Sequence, residues 1–100
     1  MTEYRLHPAA REEFLAAVDR YNAEAPGVGL RFAREIERCL ELLLEQPHVG
    51  APYARRFRRF VVDDGFPFSL IYSVTGETIF VISVAHHSRR PGFWRRRAAR

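Results

Sequence analysis

Residues 79–94 read IFVISVAHHSRRPGFW, and this stretch decides the fold of the chain. Its apolar part, Ile79 to Ala85, predicts a buried strand that ends directly at two histidines, two arginines and an aromatic pair. Side chains alternate along a strand, so each face receives an apolar set: Phe80, Ile82 and Val84 on one, and Ile79, Val81 and Ala85 on the other. Both faces of the strand therefore need a cover.

Two amphipathic helices upstream supply the first cover. Pro8 is suited to the first turn of a helix, and the apolar stripe that follows it stops before Pro26-Gly27; its members are Phe14, Leu15, Val18 and Tyr21. The second helix begins within Gly27 to Arg31 and ends near Gln46, ahead of a proline. A helical hairpin covers one face only, so the other face requires the C-terminal segment of the chain or a partner.

Four strands complete the predicted sheet. They are Tyr4 to Leu6, Phe57 to Val62, Phe68 to Val74 and Thr78 to Ala85. Gly50-Ala51-Pro52 is predicted as a loop, and Asp63-Asp64-Gly65 and Thr75-Gly76-Glu77 as turns. The order β-α-α-β-β-β predicts a single α+β domain over residues 1–100, with a helical hairpin on one face of a mainly antiparallel sheet.

The charge of the chain is divided between its two halves. Residues 1–46 hold nine acidic residues against six arginines, a net −3, and residues 47–100 hold three against ten, a net +7. All sixteen basic residues are arginine. A guanidinium grips phosphate or carboxylate in two places, so one interpretation is an anion-binding C-terminal half. A GC-rich coding sequence is the alternative.

The sequence predicts a soluble, cytoplasmic protein. Residues 1–20 lack a basic head followed by an apolar run, and no window reaches the roughly 18 apolar residues of a membrane span. Cys39 has no partner for an internal disulfide and lies within a helical pattern, so we expect it to pack as a small apolar side chain.

His86 and His87 are the first candidates for chemistry. Adjacent residues on a strand point to opposite faces, so the two imidazoles cannot easily share a metal ion. The histidines and the cysteine of the chain show no zinc-type spacing, and we expect no metal and no cofactor. Arg89 and Arg90 follow directly, which favours proton transfer next to a bound phosphate. The alternative is one packed and one solvated histidine.

Two arginine pairs, Arg55-Arg56 and Arg58-Arg59, flank Phe57. Alternation places Arg58 on the side opposite Phe57 and Arg59, so only part of the cluster can face one ligand. The cluster fits a nucleic-acid backbone or an acidic protein segment. Alternatively, it protects an edge strand from aggregation.

The aromatic pair Phe93-Trp94 has two interpretations. It either stacks on a base or anchors the tail of the chain on the sheet, and the anchor is favoured because the pair directly follows Pro91-Gly92. Arg95 to Arg97 and Arg100 are predicted to be solvated.

Two stretches give the chain a family resemblance. Phe66 to Tyr72, which reads FPFSLIY, is similar to the phenylalanine-proline-tyrosine strand of the RelE/ParE superfamily of bacterial toxins from type II toxin–antitoxin systems. Val84 to Trp94 resembles the terminal strand and exit of the same superfamily, and the resemblance covers almost the whole chain. It implies a small cytoplasmic toxin of the plasmid-stabilisation type. It also implies a cognate antitoxin, encoded beside the toxin, whose acidic and apolar segment covers the second face in a hetero-oligomer.

The superfamily divides into two activities. ParE-like members poison DNA gyrase by binding it, whereas RelE-like members cleave mRNA on the ribosome. Cleavage needs a base, an acid and a cation. The resemblance would assign these roles to Arg58 or Arg59, to His86 or His87, and to Arg89.

The ParE-like activity is the preferred one, in which the chain is not an enzyme. The chain has no lysine and no tyrosine near its C-terminus, and several nucleases of the superfamily rely on such residues. The alternatives are a metal-independent endoribonuclease and an inactive toxin fold that binds only its antitoxin. The surface predicted to bind the target or the antitoxin comprises Arg55, Arg56, Arg58, Arg59, Ile79, Val81, Arg89, Arg90, Phe93 and Trp94.

Overall fold

Two helices and a five-stranded sheet form two layers in the computed structural model, which describes residues 3–63 and 65–98. The elements are β1 (Glu3–Leu6), α1 (Pro8–Glu24), α2 (Val28–Glu45), β2 (Ala51–Ala54), β3 (Phe57–Val61), β4 (Phe68–Thr75), β5 (Thr78–His86) and α3 (Arg95–Ala98). Asp64 of the predicted turn and Arg100 of the predicted solvated tail lie outside the described residues.

The sheet has the strand order β1-β5-β4-β3-β2. β1 runs parallel to β5, and the other neighbouring pairs are antiparallel. The predicted α+β fold with a helical hairpin on a mainly antiparallel sheet is confirmed. The order is β-α-α-β-β-β-β, however, and a short C-terminal helix follows it.

The additional strand, β2, corrects the predicted loop at Gly50-Ala51-Pro52. Residues 51–54 pair with β3, and their register shifts between Pro52 and Ala54. Proline lacks a backbone N–H and is tolerated at the edge of a sheet, which is where β2 lies. Its four residues have no alternating apolar pattern, so the sequence carried no strand signal for them.

The helical hairpin is closed tightly by local contacts. The ring of His7 caps α1, because its Nδ1 accepts the Ala9 N–H at 3.0 Å. Gly29 lies against α1, where its N–H donates to Asn22 Oδ1 at 2.9 Å. A Cβ at this position would come within 2.5 Å of the Val18 carbonyl oxygen, so only glycine permits this approach of the two helices.

The main core lies between the helices and the sheet. Phe32 of α2 is fully buried at its centre, and its ring contacts Phe66 and Phe68 with centroids 5.2 and 4.9 Å away. Cys39 is buried in the same core, as predicted, and burial raises the pKa of its thiol to about 11. We call the sheet face that packs on this core the helix-side face, and the opposite one the second face.

A bulge in β5 changes which side chains reach each face. Ile71 of β4 pairs with Ser83, and the next residue, Tyr72, pairs with Val81, which leaves Ile82 without a partner. An extra residue in one strand shifts the alternation beyond it. Val84 therefore packs into the helix-side core with Ile79 and Val81, and Ala85 lies on the second face. Strict alternation predicted that Ala85, and not Val84, would share a face with Ile79 and Val81.

Ile79 and Val81 were predicted to contribute to a binding surface, and this prediction is wrong. Both side chains are fully buried in the core beneath the helices. They lie before the bulge, so they keep their alternation and face the hairpin, which leaves no part of them accessible to a partner.

The second face is covered by residues 88–98, which we call the C-terminal strap. Trp94 is only 2% exposed, and its ring packs edge-on against Phe57 with centroids 4.9 Å apart. With Ile71, Ile82 and Ala85 these two residues form a second apolar cluster. The interpretation of the aromatic pair as an anchor is confirmed, and Trp94 is not available for binding while the strap is in place.

An ion pair holds the end of the strap. Arg97 donates to both carboxylate oxygens of Glu13 on α1, at 3.0 and 2.9 Å, and also to the Ile82 carbonyl at 3.1 Å. Glu13 Oε1 also accepts the Ser83 hydroxyl and the Val84 N–H, each at 3.0 Å. Arg97 was predicted to be solvated, but its side chain is only 17% exposed.

This ion pair bonds to backbone groups of β5 that a neighbouring strand would otherwise pair. β1 ends at Leu6, opposite Val81, so the edge of β5 beyond that point has no neighbouring strand. A buried backbone group without a partner costs free energy. The Glu13 carboxylate and the Arg97 guanidinium supply an acceptor and a donor to this edge.

We predict that Glu13→Ala destabilises the fold by about 2 kcal/mol, because it removes the acceptor of the Val84 N–H and the carboxylate partner of the Arg97 guanidinium. Urea unfolding measures this loss. The emission of Trp94, the single tryptophan, should shift to longer wavelength before unfolding as the strap loosens. Glu12→Ala, at the exposed neighbouring position, is the matched control and should change stability by no more than about 0.5 kcal/mol. Equal losses in the two variants would contradict the role of the ion pair.

Candidate functional site

A concave surface lies on the second face where the strap meets the edge strands. Its cavity volume is about 240 Å³, and we call it the basic cleft. The residues that give it its character are Tyr53, Arg59, His87, Arg90 and Trp94. Its lining comes from β2, β3, β5 and the start of the strap, which are segments distant from one another in sequence.

Arg59 and Tyr53 form the β2–β3 wall of the basic cleft. Arg59 shares the second face with Phe57, as alternation predicted, and its guanidinium carbon lies 5.9 Å from the centre of the Tyr53 ring. Tyr53 remains 43% exposed. Within residues 3–63 and 65–98, no acidic side chain forms an ion pair with Arg59 or Arg90.

His87 belongs to the opposite wall. Its Nε2 lies 2.9 Å from the Ser69 hydroxyl, and its backbone N–H donates to the Pro67 carbonyl at 2.8 Å. Ser69 is almost fully buried on β4. The imidazole is therefore held at a fixed orientation while its outer edge stays exposed.

His86 points to the helix-side face. Its ring packs edge-on against Phe68 with centroids 5.0 Å apart, and its Nδ1 accepts the Ser88 N–H at 3.0 Å. Burial lowers the pKa of His86, and electrostatic interactions with Arg20 and His87 lower it further. The predicted divergence of the two histidines is confirmed.

Arg58 lies away from the basic cleft, whereas His86 is among the residues that line it. It donates to the carbonyls of His48 and Gly50, at 3.1 and 2.7 Å, and so closes the connection between α2 and β2. The buried Tyr72 hydroxyl supports the same connection, because it accepts the Gly50 N–H and donates to the Pro47 carbonyl. Arg58 therefore has a structural role at this position.

Arg89 is held by the strap and by α1. Its guanidinium carbon lies 3.9 Å from the centre of the Phe93 ring, and its Nη1 lies 3.8 Å from Glu13 Oε2. Arg97 also lies near this ring, 5.2 Å from its centre. Phe93 therefore contacts two guanidinium groups, both of which are near Glu13 Oε2.

A second cavity continues the basic surface on the other side of Trp94. It has a volume of about 380 Å³ and is lined by Arg55, Arg56 and Arg95 together with apolar residues. Arg56 lies over the Phe57 ring at 4.9 Å. Among residues 3–63 and 65–98, no acidic residue lines either this cavity or the basic cleft.

An apolar groove on the helix side was not predicted. It has a volume of about 220 Å³. Its lining is apolar except for Arg11 and Glu37, and the apolar members are Tyr4, Leu6, Phe14, Leu15, Ile36 and Leu40. Leu15 was predicted to belong to the buried stripe of α1, but it is 47% exposed. The sequence indicated this exposure in one way: Leu15 directly follows Phe14 and so lies outside the i, i+4, i+7 series of the stripe.

The described residues give no sign of a metal centre or of a membrane span. Among residues 3–63 and 65–98, no three His, Cys, Asp or Glu side chains come together as metal ligands would. None of the helices described here has the length and apolar character needed to cross a bilayer.

Comparison with known proteins agrees with this fold. Residues 4–91 match the family model described as "ParE toxin of type II toxin-antitoxin system, parDE". A solved structure titled "Chromosomal ParDE TA system from P. aeruginosa" superposes with a TM-score of 0.73 at 20% sequence identity, over 86% of this chain and 95% of that chain. A search of the curated proteins finds no match.

The solved structure, at this level of identity, supports the arrangement of helices and strands. The family model carries the assignment, because it spans all of the helical hairpin, the sheet and the beginning of the strap. This chain therefore belongs to the ParE toxin family of type II toxin–antitoxin systems.

Proposed function

We propose that this toxin inhibits growth by binding DNA gyrase, and that a cognate antitoxin neutralises it. The observation that carries this proposal is the separation of the two imidazoles that a nuclease would need as acid and base. His87 lies on the second face, whereas His86 and Arg58 lie on the helix side.

The separation matters because RNA cleavage depends on a base, an acid and a cation that act at one phosphate. Arg59 and Arg89 line the basic cleft together with the exposed imidazole of His87. His86 is also among the lining residues, but its ring packs on Phe68 and its Nδ1 accepts the Ser88 N–H. The guanidinium of Arg58 bonds two backbone carbonyls, and that of Arg89 stacks on Phe93. This arrangement favours action by binding over cleavage of mRNA.

We expect expression of the chain in bacteria without an antitoxin to reduce plasmid supercoiling and to produce double-strand breaks, while mRNA 5′ ends stay unchanged. The same gene with an early stop codon is the control. Gel analysis of plasmid topology and mapping of mRNA 5′ ends measure both activities in the same cells.

Codon-periodic mRNA cuts with unchanged plasmid topology would contradict the gyrase proposal and favour the nuclease. Folded protein in healthy cells with neither effect would also contradict it, and would indicate a toxin fold that only binds its antitoxin.

The antitoxin requires a surface of its own, and we infer that it docks in the apolar groove beside β1. The C-terminal strap already covers the second face, where the family resemblance implies the antitoxin. In the groove, Leu15 of α1 and Tyr4 of β1 are both partly exposed. β1 is the edge strand at one end of the sheet. An unpaired strand edge next to an apolar groove suits a partner segment that adds a strand and inserts apolar side chains.

We predict that Leu15→Glu weakens binding of the antitoxin at least about 30-fold, because it places a charge in the apolar contact. Calorimetry with the antitoxin encoded beside this gene measures the affinity. Leu30→Glu is the matched control, since Leu30 is 53% exposed on α2 and lies outside the groove. If the two variants bind the antitoxin equally well, the groove is not its site.

A further inference from the structure

We propose that the basic cleft binds single-stranded nucleic acid, with Arg59 and Arg90 on the phosphates and Tyr53 against a base, and that it does so without breaking the strand. This inference goes beyond the proposed function and does not depend on gyrase. It rests on the charge, shape and ring exposure of the second face.

The charge of the surface points to a polyanion. Arg59 and Arg90 line the basic cleft, and Arg55, Arg56 and Arg95 line the cavity on the other side of Trp94. The acidic residues of α1 and α2 lie on the opposite side of the sheet, where Glu13 and Glu35 are paired with arginines. A ligand that carries regularly spaced negative charges would match both cavities, whereas a single anion would use only one of them.

The shape of the basic cleft suits a nucleotide backbone. Its volume of about 240 Å³ is below the roughly 300 Å³ at which pockets usually begin to enclose a whole organic ligand, so it fits part of a longer molecule. A guanidinium offers a planar fork to the two free oxygens of a phosphodiester. When Ser69 donates its hydroxyl to His87 Nε2, the imidazole carries its proton on Nδ1, which is then a third donor for phosphate.

The exposed aromatic ring favours a nucleic acid over an acidic peptide. Tyr53 is 43% exposed, and Trp94 and Arg59 lie beside it at 6.1 and 5.9 Å from the ring centre. Bases stack on such rings without regard to sequence. In a duplex the bases are already stacked inside, so Tyr53 adds affinity for single strands only.

The test uses the purified full chain and a labelled oligonucleotide of about 12 nucleotides, within the usual range of such sites. The same sequence is supplied as single-stranded RNA, single-stranded DNA and duplex DNA, and binding is measured by fluorescence anisotropy. Contacts to two or three phosphates predict that the affinity for single strands falls about tenfold between about 50 and 200 mM salt. RNA and DNA separate the two sources of the same backbone chemistry, and binding of either supports the proposal.

Variants locate the binding. Arg59→Ala and Arg90→Ala should each weaken single-strand binding about tenfold, since each removes a charge-assisted contact. Tyr53→Leu should weaken it at least about fivefold for single strands and leave duplex binding unchanged. Arg34→Ala removes the same charge from an exposed position on α2 and should change binding less than about twofold, because Arg34 lies outside both cavities. The emission of Trp94 checks that every variant keeps the strap in place.

Three results would overturn the proposal. One is the absence of single-strand binding by the wild-type chain at low salt. A second is an equal loss in Arg34→Ala and Arg59→Ala, which would mean that net charge alone attracts the strand. The third is tighter, Arg59-dependent binding of a polyglutamate peptide, which would assign the cleft to an acidic protein. Because no gyrase is present in the assay, these outcomes are independent of the proposed function.

Discussion

The contact between Glu13 and Arg97 is the interaction on which the rest of the second face depends. β1 is too short to cover the whole edge of β5, and this ion pair bonds to the Val84 N–H and the Ile82 carbonyl in its place. By fixing Arg97, it also keeps Trp94 over Phe57 and so closes the second apolar cluster. The basic cleft exists only because the strap is held there, since Trp94 forms one of its walls.

Features that depend on neighbours in sequence could be predicted. Pro8 and Pro26-Gly27 mark the bounds of α1 closely, and the apolar character of both faces of β5 correctly required a second cover. Features that depend on distant partners could not. Glu13 and Arg97 lie 84 residues apart, and neither residue differs in type from many solvated neighbours. The bulge at Ile82 likewise arises from the pairing with β4, which the pattern within β5 does not encode.

The features of the candidate site can also be separated into those that sequence neighbours determine and those that require the fold. The divergence of His86 and His87 follows from strand alternation alone, and so does the placement of Arg59 on the second face. The engagement of Arg58 with the α2–β2 connection requires the fold, because its acceptors are backbone carbonyls of a loop. The apolar groove could not be predicted without the fold either, because three separate elements contribute to its lining.

The apolar groove and the basic cleft lie on opposite sides of one sheet. An antitoxin seated beside β1 and the helices leaves the arginines of the second face uncovered. If the antitoxin docks there, as we propose, a toxin already bound to a partner through those arginines stays open to capture, and a ternary complex forms before that partner leaves. The toxin–antitoxin pair would then keep a positively charged surface of its own.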